Sequence, residues 1–306
     1  EELAKTAENA MSKATSSMSI SPFAIKKLFV SLLPFLFFIC NQALVTSTFP
    51  KVFLETVVIF LHKKGDRKNP DNYRTIALEN PFLKFLSSLL TTRLSEYAEK
   101  HDLYPTWQFG FRKGRSTIAA ASLLYELVKN RLSKQTRTYV CFVDFSKCFD
   151  SVRRDLLFVK LQKLGIPFAL CRLLHFTYEN LCFIIKSGKC LTREFYTNVG
   201  LPQGDPLSPI LFGLFVHDLP SCFPHRGLKI NETIIKYLMF ADDLAIVADS
   251  AKELQQAIDA LHKYCVENGL KINNSKTKCM VFHCGRLPQC SFTLNLVALV
   301  IVNNFS

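Results

Sequence analysis

Hydrophobic and polar positions along the first 137 residues alternate between helical and extended patterns. Residues 1 to 20 are polar and show no clear period. From Pro22 to about Leu44 apolar residues recur at helical spacing. Val57 to His62 reads as a strand, and the basic loop Lys63 to Tyr73 follows it, with turn signals at Gly65-Asp66 and Asn69-Pro70. Arg74 to Leu78 reads as a second short strand. Asn80 and Pro81 suit a helix start, one as cap and the other at the first position. Leu83, Leu86, Leu90, Leu94 and Tyr97 then keep a helical period. A turn-rich segment, Trp107 to Ser116, precedes a helix from Thr117 to about Leu132.

The pattern changes character from Thr138 onward. Thr138 to Val143 is a strand that ends at Asp144. Helices are predicted over Val152 to Leu164 and Pro167 to Tyr178. A hairpin is predicted from Cys182 to Lys186 and Cys190 to Tyr196, around Gly188. Gly200 to Gly204 is a loop and Pro206 to His217 a helix. Thr233 to Phe240 and Leu244 to Ala248 read as paired strands with Asp242 and Asp243 at their turn. Ser250 and Glu253 form a capping box, Gly269 ends the helix, and Lys278 to His283 is a further strand. This order predicts an α+β domain with an antiparallel sheet backed by helices, and it excludes a TIM barrel or a doubly wound sheet. No internal repeat is visible.

Composition narrows the class. The chain of 306 residues is 49% apolar and 21% charged, enough for real cores. Its formal net charge of +13 points to a polyanionic partner. Lys63, Lys64, Arg67, Lys68 and Arg74 fall in one short segment, and Arg112, Lys113 and Arg115 in another, as phosphate contacts would. The 11 cysteines fit no strong zinc spacing, including the group Cys279, His283, Cys284 and Cys290, and read as buried free thiols of a reducing compartment. The apolar run Leu28 to Cys40 contains Pro34 and is short of the roughly 20 residues a spanning helix needs, so no membrane segment is expected.

Two places carry candidate chemistry. Asp144 follows directly on an apolar strand, and Asp242 and Asp243 are adjacent at a hairpin tip. Carboxylates crowded at the edge of a core repel one another unless a divalent cation holds them together. Mg²⁺ is the hard ion that suits carboxylate and phosphate oxygens. Two such ions would activate a 3′-hydroxyl and stabilise a leaving pyrophosphate. In this arrangement Asp242 points at the metals beside Asp144, and Asp243 supports the rim or takes a second metal contact. Ordinary turn aspartates are the alternative reading of an isolated Asp-Asp pair.

The wider context is a resemblance to the reverse transcriptases of non-LTR, LINE-like retrotransposons. Phe240-Ala241-Asp242-Asp243 resembles the family's [FY]ADD turn, and Leu201-Pro-Gln-Gly-Asp-Pro-Leu-Ser-Pro209 its LPQG loop. Phe109-Gly-Phe-Arg-Lys-Gly-Arg-Ser-Thr117 resembles the GFR block, and Val143-Asp-Phe-Ser-Lys-Cys-Phe-Asp150 the first catalytic Asp block. His62-Lys-Lys-Gly65 and Asn69-Pro-Asp-Asn-Tyr-Arg-Thr-Ile76 resemble the fingers segments, and Leu270-Lys-Ile-Asn273 with Lys276-Thr277 the block after the palm helix. All stand in the family order. The helix before Phe49-Pro50 resembles the family's lead-in, and Ile301 to Ser306 its run just after the palm.

The resemblance implies a right-hand polymerase fold with fingers, an antiparallel palm sheet and a thumb largely absent. Residues 1–50 would be a helical lead-in and 51–137 fingers. Residues 138–290 would be palm with interleaved fingers helices, and 291–306 the truncated start of a connection beyond it. The implied activity is RNA-directed DNA polymerisation, with a group II intron-like enzyme or a decayed RNA-binding copy as alternatives. Asp144, Asp242 and Asp243 would be the metal-binding triad, holding two Mg²⁺, with Mn²⁺ as a substitute. Phe149 would be the aromatic gate under the nucleotide sugar. Gln203 and Gly204 would pack near the incoming nucleotide and template base. Arg74, with Lys63 or Lys64, would reach the triphosphate, as an Arg fork suits phosphate. Lys276 would approach the triphosphate or the primer end. Arg112, Lys113 and Arg115 would grip the template backbone. The implied partners are an RNA template, a DNA primer and dNTPs, with an endonuclease domain elsewhere in the full-length protein and an intracellular, nuclear site of action. The family's Arg-Pro-Ile-Ser is here Arg74-Thr-Ile-Ala77, so Thr75 lacks a φ-fixing proline, and Glu79 adds an acidic residue near a site meant for phosphates.

Overall fold

The computed structural model describes residues 22–302 apart from 225, 231 and 286–287, without the side chains of 22–27, 29 and 30. The polar stretch 1–20 and residues 303–306 of the terminal run lie outside the described residues. In chain order the helices are α1 (Pro22–Thr46), α2 (Pro81–Lys100), α3 (Thr117–Ser133), α4 (Arg154–Lys163), α5 (Phe168–Glu179), α6 (Ser208–Phe215) and α7 (Ala251–Asn268). The strands are β1 (Glu55–His62), β2 (Tyr73–Glu79), β3 (Thr138–Val143), β4 (Cys182–Ser187), β5 (Cys190–Leu191) and β6 (Leu228–Ile230). They continue with β7 (Thr233–Ile235), β8 (Tyr237–Phe240), β9 (Asp243–Ala248), β10 (Lys278–Phe282), β11 (Phe292–Leu294) and β12 (Val297–Ile301). The chain divides into two compact units. One takes the described residues up to Tyr97 and Arg153–Leu211; the other takes Ala98–Val152 and the described residues from Phe212 onward.

The first unit holds a four-stranded sheet in the order β2-β1-β4-β5. β1 pairs antiparallel with β2, from Thr56↔Glu79 to His62↔Tyr73, and parallel with β4. The inner half of β1 is buried at Val57 and Val58, while Phe60 and Leu61 are exposed. Asn80 caps α2 by accepting from the Phe82 N–H at 3.0 Å, and the predicted stripe Leu83, Leu86, Leu90 and Leu94 is buried. No helix among the described residues is long and apolar enough to cross a membrane.

The second unit is built on a six-stranded sheet, β11-β12-β10-β3-β9-β8. β3 is its centre, antiparallel to both β9 and β10. Being covered on both faces, it reads as a continuous apolar run rather than an alternating one. Val140, Val247, Leu238 and the α3 residues Leu127 and Val128 pack into one cluster with Phe109. Ser250 Oγ accepts from the Glu253 N–H at 3.2 Å, and Gly269 ends α7 at φ 73°. Residues 292–301, set beyond the palm in the sequence reading, form β11 and β12 and complete this sheet.

Two predicted strands differ. The run Thr233 to Phe240 breaks at Lys236, because β7 pairs only with β6 whereas β8 pairs with β9. Lys236 itself still meets β9, its carbonyl accepting from the Val247 N–H at 2.9 Å, while its Nζ donates to the Phe223 carbonyl at 3.0 Å. The strand expected from Cys190 to Tyr196 pairs only at Cys190–Leu191, with one further bridge at Phe195. There the Thr192 hydroxyl accepts from the Ile185 N–H at 3.0 Å, a side chain standing in for a ladder carbonyl.

Candidate active site

Asp144 is held at the end of β3 by the block that follows α7. Its N–H donates to Thr277 Oγ1 at 3.3 Å, and its carbonyl accepts from the Asn273 N–H at 2.8 Å. Phe145 bridges Ile272, and the Ser146 N–H donates to the Lys271 carbonyl at 2.8 Å. The matched Leu270 to Asn273 block is therefore a brace for the first aspartate. Thr277, 1% exposed, is part of it.

Asp242 and Asp243 come from the β8–β9 hairpin. The last ladder pair is Phe240↔Asp243, which leaves Ala241 and Asp242 as a two-residue turn. The neighbouring register ends at Val143↔Leu244, so Asp243 sits one step on, across from Asp144. Asp144, Asp243 and Lys276 line one cavity of about 690 Å³, with Phe142, Val143, Phe240 and Leu244. Lys276 Nζ lies 3.7 Å from Asp144 Oδ2. Asp242 is not among the lining residues; its Oδ2 accepts from the Cys148 thiol at 3.2 Å. Asp243, expected to support the rim or take a second metal contact, stands across from Asp144, as cross-strand pairing dictates. Desolvation raises the Asp243 carboxyl above its usual range, and the negative charges of Asp242 and Asp144 raise it further.

That repulsion marks a place for a cation. Among the described residues no group of three or more His, Cys, Asp or Glu converges into a ready-made metal cage. Mg²⁺ needs none, since it binds through one or two carboxylates together with substrate phosphates and water. The hard-oxygen donors Asp144 and Asp243, with Asp242 beside them, fit such an ion.

Phe149 opens a single 3₁₀ turn, half-buried, with its ring 4.9 Å from that of Phe212. In the first unit, Gln203 is tied to β2: its carbonyl accepts from the Ala77 N–H at 2.7 Å. Gly204 has φ +122°, and a Cβ there would come within 2.6 Å of the Ala77 carbonyl oxygen. Both features demand glycine. Arg74 on β2 is exposed, as are Lys63 and Lys64 just after β1. Glu79 is 2% exposed, so it does not add charge to a phosphate site: residues with side chains on opposite faces of β2 do not share surroundings.

The basic trio is not uniform. Lys113 is exposed, and Arg115 is half-buried over the Phe109 ring at 5.3 Å. Arg112 has a side chain only 7% exposed, bound to both Glu99 oxygens at 2.8 and 2.6 Å. The template grip expected of Arg112 does not fit this placement, because its guanidinium is already committed internally. Sequence reasoning also missed Gln108, Cys148, Arg154 and Asp205. Gln108, Cys148 and Asp205 carried a signal, by flanking or lying within matched blocks; Arg154 did not.

Comparison with known proteins gives the fold and the family. The chain is similar in structure to apo telomerase from Candida tropicalis truncated from its C-terminal domain (TM-score 0.57, 13% identity, 92% of this chain and 60% of that one), which shows a right-hand polymerase fold. Residues 61–293 match the reverse transcriptase (RNA-dependent DNA polymerase) family, and the chain belongs to it. It is 28% identical over 260 residues to the probable RNA-directed DNA polymerase from transposon BS of Drosophila melanogaster, covering 83% of this chain and 28% of that protein. It is 28% identical over 255 residues to the RNA-directed DNA polymerase from mobile element jockey of Drosophila funebris, covering 81% and 28%. It is 30% identical over 220 residues to the Pol polyprotein of the R2DM element of Drosophila melanogaster, covering 71% and 20%. The chain spans less than a third of the length of these relatives.

Proposed function

We propose that the chain is the RNA-directed DNA polymerase core of a non-LTR retrotransposon and adds dNTPs to a primer 3′-hydroxyl on an RNA template. The observation that carries this is the junction of Asp144, at the end of β3, with the Asp242-Asp243 hairpin in a family of polymerases. Asp144 and Asp243, with Asp242, would hold Mg²⁺, which when bound supplies charge neutralisation at the reacting phosphate and the attacking oxygen. Lys276 keeps a cation beside Asp144 and is freed when that carboxylate takes another partner. Phe149, its ring against that of Phe212, would be the aromatic gate under the nucleotide sugar. Arg74, Lys63 and Lys64 offer exposed donors for a triphosphate. In this reading residues 51–137 serve as fingers and 138–290 as palm with interleaved fingers helices. An endonuclease lies elsewhere in the full-length protein, and the reaction takes place in the nucleus.

Primer extension on poly(rA)/oligo(dT) with Mg²⁺ tests the reading. The parent chain should extend the primer. The Asp242→Ala plus Asp243→Ala double variant should lose at least about 10³-fold in rate, since both carboxylates act at the developing charge. Tight binding to the hybrid with no extension by the parent would sink the polymerase assignment and leave a binding protein.

A further inference from the structure

The turn that carries the two adjacent aspartates is not one its own sequence favours. Ala241 has φ +58° and is 8% exposed. A hairpin turn with positive φ at its first position is normally built on glycine or asparagine. Something outside the hairpin must hold an alanine there.

That part is played by residues 107–110, which run alongside β8. The Met239 N–H donates to the Trp107 carbonyl at 2.9 Å, and the Phe109 N–H to the Met239 carbonyl at 2.8 Å. Gln108, between them, is 2% exposed. Its Oε1 accepts from the Ala241 N–H at 3.0 Å and from the Gly110 N–H at 2.8 Å. Its Nε2 donates to the Ala241 carbonyl at 3.1 Å. One amide side chain therefore takes up both the N–H and the C=O of the strained residue. The network fixes the orientation of the amide, since two donors face one atom and an acceptor faces the other. A carboxylate could not donate to the Ala241 carbonyl and would add negative charge beside Asp242. Gly110 allows the contact: a Cβ there would lie 2.1 Å from the Ala241 nitrogen and 2.9 Å from the Phe240 carbonyl carbon.

Gln108 is braced in turn. Arg112 Nη1 donates to the carbonyls of Gln108 and Pro105 at 3.4 Å each, while Glu99 holds the guanidinium and Tyr104 lies 5.0 Å beneath it. A continuous set of bonds runs from Glu99 through Arg112 and Gln108 to the turn.

We propose that Gln108 is a positioning residue that sets the geometry of the Asp242-Asp243 turn by clamping Ala241, with Arg112 and Glu99 as its support. The proposal rests on the polymerase reading for its effect on catalysis, but the clamp itself does not. Because Gln108 touches no substrate, its loss acts on turnover and not on nucleotide binding.

Gln108→Met keeps the side-chain volume and removes the amide. Two measurements on the whole chain decide the matter. In primer extension, kcat should fall by about tenfold to a hundredfold, as sub-ångström misplacement of reacting groups does. The KM for dNTP should stay within about twofold, and more Mg²⁺ should be needed for half-maximal rate. In amide hydrogen exchange, Ala241 should be protected in the parent and exchange faster in the variant, while amides of β3 keep their protection. Unchanged Ala241 exchange overturns the clamp, whether or not the parent proves to be a polymerase. Unchanged kcat with faster exchange overturns the positioning role. A kcat loss that merely follows loss of protection in β3 also overturns it, since the residue would then be only structural. If Gln108→Met does not fold, an unprotected Ala241 amide in the parent suffices to sink the idea. Failure of the parent to extend any primer counts against the polymerase reading and leaves the exchange result to judge the clamp.

Discussion

Glu79 and Asp205 place two carboxyls in the interior of the first unit, 2% and 5% exposed, with Lys84 at 6%. They are not equally provided for. Asp205 accepts from the Tyr178 hydroxyl, from the Leu207 N–H at 2.9 Å and from Ser208 Oγ at 3.5 Å. Among the described residues Glu79 Oε2 is buried with no hydrogen-bond partner. Burial raises the Glu79 carboxyl well above the usual range, the Asp205 charge raises it further, and Lys84 only partly offsets them. A carboxyl whose pKa is higher in the fold than in the unfolded chain destabilises the fold once the pH exceeds both values. That penalty fades as the pH falls through the folded value and is gone below the unfolded one. Glu79→Gln should therefore raise the unfolding midpoint at neutral pH. The gain should shrink on acidification and vanish near the ordinary glutamate range, about pH 4. Melting curves of both chains across pH check this, and a gain that does not depend on pH would reject the buried-charge account.

At the scale of elements, the loop that ends in Gln203 and Gly204 is secured from behind by α4. Arg154, 4% exposed, donates to the carbonyls of Gly200 at 2.8 Å, Tyr178 at 2.7 Å and Thr197. Three carbonyls are satisfied by one guanidinium, joining α4, the end of α5 and the loop. Arg154→Ala should cost about 2–4 kcal/mol of stability, because it leaves buried acceptors unmade. The denaturant midpoint should drop with little change in slope; a shift under about 0.5 kcal/mol would mean that water replaces the side chain. The need for Arg154 was not legible in the sequence. An arginine at the start of a helix reads as surface charge, and its partners lie up to 46 residues away. Arg112 misled for the same reason, since a basic cluster gives no hint of Glu99 thirteen residues earlier. The strands that bear Asp144 and the hairpin aspartates were legible, because a central strand covered on both faces leaves an uninterrupted apolar run. The break at Lys236 was not, because Thr233 to Phe240 keeps strand character throughout and only the choice of partner divides it. Which of Asp242 and Asp243 stands across from Asp144 was also hidden. It depends on ladder register, and a shift of one residue exchanges their faces.

Across the whole molecule, a net charge of +13 has to be weighed against the positive groups already spent inside. Arg112 is taken by Glu99, Arg154 is buried under carbonyls, and Lys84 and Lys160 are buried. The exposed remainder includes Lys63, Lys64, Arg67, Lys68, Arg74 and Lys113. If these meet phosphates, binding to an RNA–DNA hybrid must release counterions and weaken as salt rises. Engagement of about four phosphates would lose about 10²-fold in affinity between 50 and 200 mM salt. Replacing Lys63, Lys64 and Lys113 together by Gln should flatten the log–log slope by up to about three units, without a sequence preference among templates. Arg112→Gln should behave in the opposite way. It should lower stability and disturb the Gln108 clamp while leaving the salt slope where it was, because its charge never faces solvent phosphate. Salt titrations of hybrid binding by anisotropy separate the two cases. A slope that survives the triple lysine change but falls with Arg112→Gln would reverse the assignment, making Glu99 a dispensable partner and the buried guanidinium the true phosphate contact.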